Sequence, residues 1–403
     1  MKFRNDTVAT QIVDVLRTHL NVLENGAVSY DGGAAILFDA LYVNLKHTYQ
    51  IEDEVVFDAL VNSVLELFKR DGIRRVQDIT VTLGGKCARL LRVREEYVLV
   101  TSVNLPALQT LKRRNINGST ISFSPVVPVK YNAQRKKIIE QHQRLKFGSE
   151  VDFTFVTVKI NAPDKKTAYN MGMDVLNVYR ALFQLNTSRS RNLFSQYEEQ
   201  RHPTASILQL GPLHTLHKPS GEVVNDGLWY EPQYRQPALL NILNPELAEH
   251  TVDILLKQLR LCPFSVRITE ILKLFISATD SYDPAQRFMM LWATMERATG
   301  TDDTDLLLKR ACFFFEDREL QKNILESLRL ARHSNVHGGK KPFHIGLKNQ
   351  SLLSFVTHII LFLLQNPFKH RDWDSFLQFI TTNVTSVDKE IKKLQMVKKF
   401  IKG

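Results

Sequence analysis

Cysteine is scarce in this sequence. Its three copies, Cys87, Cys262 and Cys312, lie far apart and form no C-x-x-C or Cys/His cluster. Zinc requires several ligands at close spacing, so no metal site is legible and no metal or cofactor is expected. A sparse, odd-numbered set fits core thiols in a reducing cytoplasm, the compartment expected. Long apolar runs are equally rare. The most apolar stretch, SLLSFVTHIILFLLQNPF, reaches only the lower edge of a membrane span and is interrupted by His358. It reads as a buried helix, and no membrane partner is expected. The opening MKFRNDTVATQIVDVL mixes charge into its first turns and does not read as a signal peptide. Low-complexity tracts and internal repeats are missing too, which argues against solenoids and biased linkers.

What is present is ordinary globular composition, 44% hydrophobic and 24% charged over 403 residues. That length favours two domains over one small core. The charge is unbalanced, with a formal excess of +11 and a pI near 9.4. Such an excess favours a polyanionic partner, nucleic acid above all, because basic surfaces neutralise phosphates and release counterions.

Residues 1–72 read as helical. Asp6 is placed to cap a segment in which Ile12, Val13, Leu16, Leu20 and Leu23 recur at helical spacing. EDEVVFDALVNSVLELFKRDG opens with acids and closes on Lys-Arg-Asp-Gly, the polarity a helix dipole favours. From 76 to 128 the texture changes: DITVTLGG, EYVLVTSV and STISFSPVV are short and β-branched, and are predicted strands. Gly84-Gly85-Lys86 lacks the earlier glycine and the following Ser or Thr of a phosphate loop, and is rejected as one. EVDFTFVTVKI predicts a further strand, and Asp164 a cap for a helix over 164–184. NTSRSRNLFSQYEEQRHP predicts a loop, and the segment from Ala205 to Pro232 a hairpin or small meander. Beyond 236 only helices are predicted, over 245–260, 263–279, 284–298, 303–316, 318–335, 349–366, 372–381 and 385–401. The expected fold class is therefore α+β: a mixed α/β region over 1–235, then an all-α domain over 236–403.

Chemistry concentrates in LESLRLARHSNVHGGKKPF. Leu325, Leu328 and Ala331 give this helix an inward face, and Gly338-Gly339 stops it. Arg332 and His337 thus sit at a helix end, held by a core yet within reach of solvent. The pair suits RNA transesterification, in which the 2′-hydroxyl attacks the adjacent phosphorus and the 5′-oxygen leaves with a proton. His titrates near neutral pH and can act as general acid or base. Arg keeps its charge and presents planar donors to phosphorane oxygens. Arg-x₄-His alone is a weak motif in a chain with twelve His. Its placement, on an apolar helix directly before a Gly-Gly stop, is what singles it out.

Arg332-His333-Ser334-Asn335-Val336-His337 resembles the signature of HEPN domains. The upstream Arg287–Glu296 segment, RFMMLWATME, is similar to the Trp-x-x-x-Glu helix of the Apea-like HEPN group, and His337-Gly338-Gly339 fits that group as well. The resemblance covers the C-terminal 160 or so residues, with a fainter echo at Pro163-Asp164…Ala168. It implies a HEPN-type helical bundle and a metal-independent endoribonuclease. It further implies a homodimer whose paired Arg–His motifs form one composite cleft, and a role in prokaryotic anti-phage defence or as a toxin. Residues 1–235 would then sense a phage-derived trigger or bind a regulatory partner.

On this reading His337 acts on the 2′-hydroxyl or the leaving oxygen, Arg332 stabilises the phosphorane, and His333 orients substrate or the partner motif. Asn or Asp is frequent in the family at the position of His333, and His is an accepted variant there. Asn335, Glu296, Lys340 and Lys341 are grouped as substrate-binding or supporting residues. Glu296 flanks the stripe Phe288, Leu291, Trp292 and Met295, and is read either as a partner of Arg332 or another buried Arg, or as an ordinary exposed acid.

Lys112-Arg113-Arg114, Arg135-Lys136-Lys137 and the lysines 389, 392, 393, 398, 399 and 402 are weaker candidates for RNA-backbone contacts. His214 and His217 are expected to be structural. The competing functional readings are a non-catalytic HEPN-like interaction module and a basic RNA-binding protein that cuts nothing.

Overall fold

The computed structural model describes residues 1–49, 51–71, 73, 75–106, 111–142, 148–187, 205–231, 234–242, 244–338, 342–382 and 387–402. The described residues form a mixed α/β protein with fourteen helices and a six-stranded sheet.

The chain opens with β1 (Lys2–Phe3), α1 (Asp6–Thr18), β2 (Leu20–Val22), β3 (Val28–Tyr30), α2 (Gly32–Val43), β4 (Leu45–Lys46), α3 (Asp53–Asp71) and α4 (Val76–Arg92). The cap of α1 is Asn5, whose side chain accepts from the amides of Thr7 and Val8. Asp6, the expected cap, is the first helical residue instead. The larger correction concerns DITVTLGG, which is helical within α4 rather than a strand. Val76, Ile79, Leu83 and Cys87 fall three or four apart and are all buried, so a helix hides the whole set where a strand would expose half of it. Gly84, Gly85 and Lys86 lie inside this helix, and Lys86 pairs with Glu66 of α3 at 2.9 Å. These N-terminal helices share a hydrophobic core of their own, drawn from Phe3 to Cys87.

β5 (Glu95–Pro106), β6 (Arg114–Ile116), β7 (Ser119–Ser124), α5 (Val129–Gln141), β8 (Phe153–Ala162), α6 (Lys165–Thr187), β9 (Leu213–His217) and β10 (Val223–Tyr230) follow. The strands form one antiparallel sheet in the order β10-β9-β5-β8-β7-β6. Alternation along β5 sends Val98 and Val100 to Tyr131 of α5, and Leu99, Val103 and Leu105 into the main core with α6. Asp164 caps α6 as expected, accepting from the amide of Thr167 at 2.9 Å. Gly172 lets α6 lie close on the sheet, because a Cβ there would come within 2.9 Å of Leu99 and 3.0 Å of Ile160.

The remainder is α7 (Pro245–Leu261), α8 (Ser265–Asp280), α9 (Pro284–Thr299), α10 (Thr304–Cys312), α11 (Arg318–Gly338), α12 (Ile345–Gln365), α13 (Trp373–Thr381) and α14 (Val387–Lys402). One continuous core runs from the sheet through α6 into α7–α13. Buried side chains therefore part between Cys87 and Tyr97, and the region near 235 lies within the span of the larger core. α12 contains most of the apolar run noted above. It is the one described helix long and apolar enough to cross a membrane, and 56% of its most apolar window is buried inside the protein.

Candidate active site

Two helices build the site. α9 starts at Asp283, whose carboxylate accepts from the amides of Ala285 and Gln286, with Pro284 in the first turn. Phe288, Leu291, Trp292, Met295 and Ala298 form its buried stripe. It stops at Gly300, whose φ of 65° is the left-handed geometry of a helix end. Arg287, the first residue of the RFMMLWATME segment, is buried on this helix and donates to the Ser281 carbonyl. Burial pulls its pKa down to about 10.

α11 begins after Asp317, which accepts from the amide of Leu320 at 3.1 Å. Leu325 and Leu328 anchor it, and Ala331 packs against the same core. The next residue, Arg332, reaches α9. Its guanidinium lies 5.3 Å from the Trp292 ring centroid, and Nη2 stands 3.1 Å from Glu296 Oε1. The same oxygen accepts from Trp292 Nε1 at 2.8 Å. One carboxylate thus fastens both the cation and the indole beneath it. The Glu296 side chain is 20% exposed and that of Arg332 33%, over a Trp292 that is 1% exposed.

Glu296 is the one polar partner of Arg332 among the described residues, and the buried Nε of Arg332 has no hydrogen-bond partner among them. The buried Nδ2 of Asn335 likewise has none among them. Arg332 and Asn335, three apart, share one strip of α11. His333 is exposed. His337 lies on the last turn of α11, four positions beyond His333, so positions 333 and 337 share a second strip. The side chain of His337 lies outside the described residues, as do Lys340 and Lys341 altogether. Of the predicted site, then, the structure brings together Arg332 and Glu296 over Trp292, with Asn335 on the same strip of α11 as Arg332.

Glu296 also lines a groove of about 800 Å³ between α8 and α9, together with Arg267, Lys273 and Arg297. Arg297 is tied to Glu270 at 2.6 Å and Lys273 to Asp174 at 2.6 Å.

Two of the basic clusters each have one of their three cations inside the protein, which no local spacing announces. Arg114 is buried and engaged by Glu249, Asp253 and the Lys112 carbonyl, while Lys112 and Arg113 are exposed. Arg135 is buried against Glu150, Thr215 and the carbonyls of Val100 and Leu213, while Lys136 and Lys137 are exposed. These two arginines tie the sheet to its surroundings and are closed to a phosphate.

His214 and His217 are both fully buried. His214 bonds Thr101 and Glu231, and His217 bonds the Gly221 carbonyl and Thr215. With both ring nitrogens of each engaged, they hold the sheet together. Among the described residues no group of three or more His, Cys, Asp or Glu stands close enough to hold a metal ion. Comparison with protein-family models, with curated proteins and with solved structures gives no match to this chain.

Proposed function

We propose that this chain is a metal-independent RNA endonuclease of the HEPN type, with its C-terminal helices as the nuclease bundle. The observation that supports it is the Trp292–Glu296–Arg332 assembly. An arginine is held at a helix end by a carboxylate and an indole, one turn before His337, with its donors incompletely used among the described residues. An arginine fixed in this way loses little conformational freedom when it meets a phosphate.

In the reaction the 2′-hydroxyl loses its proton and attacks the neighbouring phosphorus, and the bond to the 5′-oxygen breaks. The products are a 2′,3′-cyclic phosphate and a 5′-hydroxyl end. Arg332 balances the charge on the phosphorane, His337 takes or gives the proton, and His333 orients the substrate or the partner motif. Asn335, Lys340 and Lys341 support the bound strand. Two chains pair so that their motifs share one cleft. The protein works in the cytoplasm as an anti-phage or toxin effector, with residues 1–235 receiving a phage-derived trigger or a regulatory partner.

The test is cleavage of a mixed RNA pool in the presence of EDTA, comparing the wild type with His337→Ala. Cutting that survives EDTA, leaves cyclic phosphate ends and vanishes in the variant is the expected result. Cutting that persists in His337→Ala removes the site assignment. A wild type that never cuts, even with infected-cell extract added as a source of triggers, favours the non-catalytic interaction module or the basic RNA-binding protein.

A further inference from the structure

α14 is handled unlike any other helix of the C-terminal region. Its sequence, VDKEIKKLQMVKKFIK, carries six lysines against one aspartate and one glutamate. Ile391, Leu394, Val397 and Ile401 fall within about a third of the helical circumference, and Phe400 lies about 60° beyond that arc. In α7–α13 such stripes are buried, whereas here they face solvent: Leu394 is 67% exposed, Ile401 76% and Phe400 88%. Lys392, Lys393 and Lys398 are exposed on the same helix.

We propose that α14 is an interfacial helix that lies on an anionic lipid surface. Independent of the nuclease reading, it gives this chain a membrane partner that its apolar runs do not announce. Two observations select this occupant. The exposed apolar side chains need a medium that takes them out of water, and a row of that kind is uncommon on a free surface. The helix carries six lysines against two acids, a net excess of four positive charges, and negative charge next to that medium complements it. Anionic headgroups over acyl chains supply both, and long lysine stems can run along the apolar layer with their ammonium groups at headgroup level. A second copy of the helix would supply the apolar surface but bring like charge. RNA would supply the charge but leave Phe400 and Ile401 in water.

The experiment is flotation of the full chain with phosphatidylcholine vesicles, with and without phosphatidylserine, at low salt and at about 1 M salt, where the screening length falls to about 3 Å. The protein is expected to float only with the serine lipid at low salt. Lys392→Glu, Lys393→Glu and Lys398→Glu combined should lower the bound fraction on the order of a hundredfold. Phe400→Ser with Ile401→Ser should lower it about tenfold or more. Both variants should melt at the wild-type temperature, since the altered side chains are exposed.

Wild-type protein that stays unbound to serine-lipid vesicles overturns the proposal, as do variants that float like the wild type. So does a concentration-dependent dimer without flotation, dissolved by the Phe400/Ile401 variant, which would make the occupant a second copy. RNA retention without flotation, lost in the lysine variant and kept in the apolar one, would make it RNA.

Discussion

Arg114 and Arg135 of the sheet region and Arg332 of the C-terminal helices are placed under opposite terms. Arg114 and Arg135 are buried, and each meets a carboxylate plus further acceptors: Glu249 with Asp253 in one case, Glu150 with Thr215 in the other. Glu249 in turn also accepts from Tyr179 and from the Lys112 amide. Arg332 meets one carboxylate and one ring face, a third of its side chain is open, and its Nε has no partner among the described residues. A saturated buried cation can only hold the fold, because any new partner must displace an old one at the full desolvation cost. An anchored cation with donors left over can take a ligand at little cost to its neighbours. The difference separates a structural arginine from a candidate binding one.

The largest effect that would sharpen this contrast is on stability. Arg114→Ala leaves Glu249 buried without its ion-pair partner and should cost about 3–5 kcal/mol, read as a lower midpoint in urea unfolding. Arg332→Ala should cost at most about 1 kcal/mol in the same assay. Equal losses would erase the distinction between the two arginines.

On catalysis the order reverses. If the proposed reaction is correct, Arg332→Ala should lower the cleavage rate by about 10²–10³-fold. Lys112→Ala, at an exposed position beside Arg114, should leave the rate near wild type. An Arg332→Ala protein that cuts normally would reduce the site to a packing contact.

A pH effect of intermediate size belongs to the sheet. Burial pulls the pKa of His217 down to about 4, from about 6.5 in the unfolded chain. Between those values the unfolded state binds more protons, so stability is complete above pH 6.5 and falls as the pH drops toward 4. The loss is on the order of 3 kcal/mol at most. His217→Gln should flatten that part of the stability–pH curve, and an unchanged slope would place the acid sensitivity elsewhere.

The smallest effect concerns Glu296. Glu296→Gln keeps an oxygen for Trp292 but removes the charge facing Arg332. The cleavage rate should fall about tenfold through misplacement of Arg332, with an unchanged pH profile, since Glu296 positions a group rather than exchanging a proton. A shifted profile would instead give Glu296 a part in proton transfer.

Much of the architecture was legible because local pattern and final environment agree. Strands β5, β7 and β8 lie where short β-branched runs predicted them, and the C-terminal helices follow their apolar spacing closely. Part of α4 reads as a strand because Ile79, Thr80, Val81 and Thr82 carry β-branched side chains, although the buried set of Val76, Ile79, Leu83 and Cys87 has helical period. Packing in the N-terminal core outweighed intrinsic preference. The buried arginine in each of these two basic clusters is hidden for a different reason. Glu249 and Arg114 are 135 residues apart, and no local spacing announces a pair of that separation. Glu296 meets Arg332 only because α9 and α11 come together in space, which no local spacing announces.

By itself the sequence determined which segments are helices or strands over most of the chain, where α9 and α11 begin, and that Arg332 and His337 share a helix end. Those properties depend on period, caps and stop residues within a few turns. Tertiary structure alone decided that Arg332 rests on Trp292 and Glu296, that Arg114 and Arg135 are sealed, and that the stripe of α14 faces water while that of α12 does not. Each of these is a matter of what lies across a gap in space, and side chains that meet across such gaps are brought there by the whole core rather than by their neighbours in the chain.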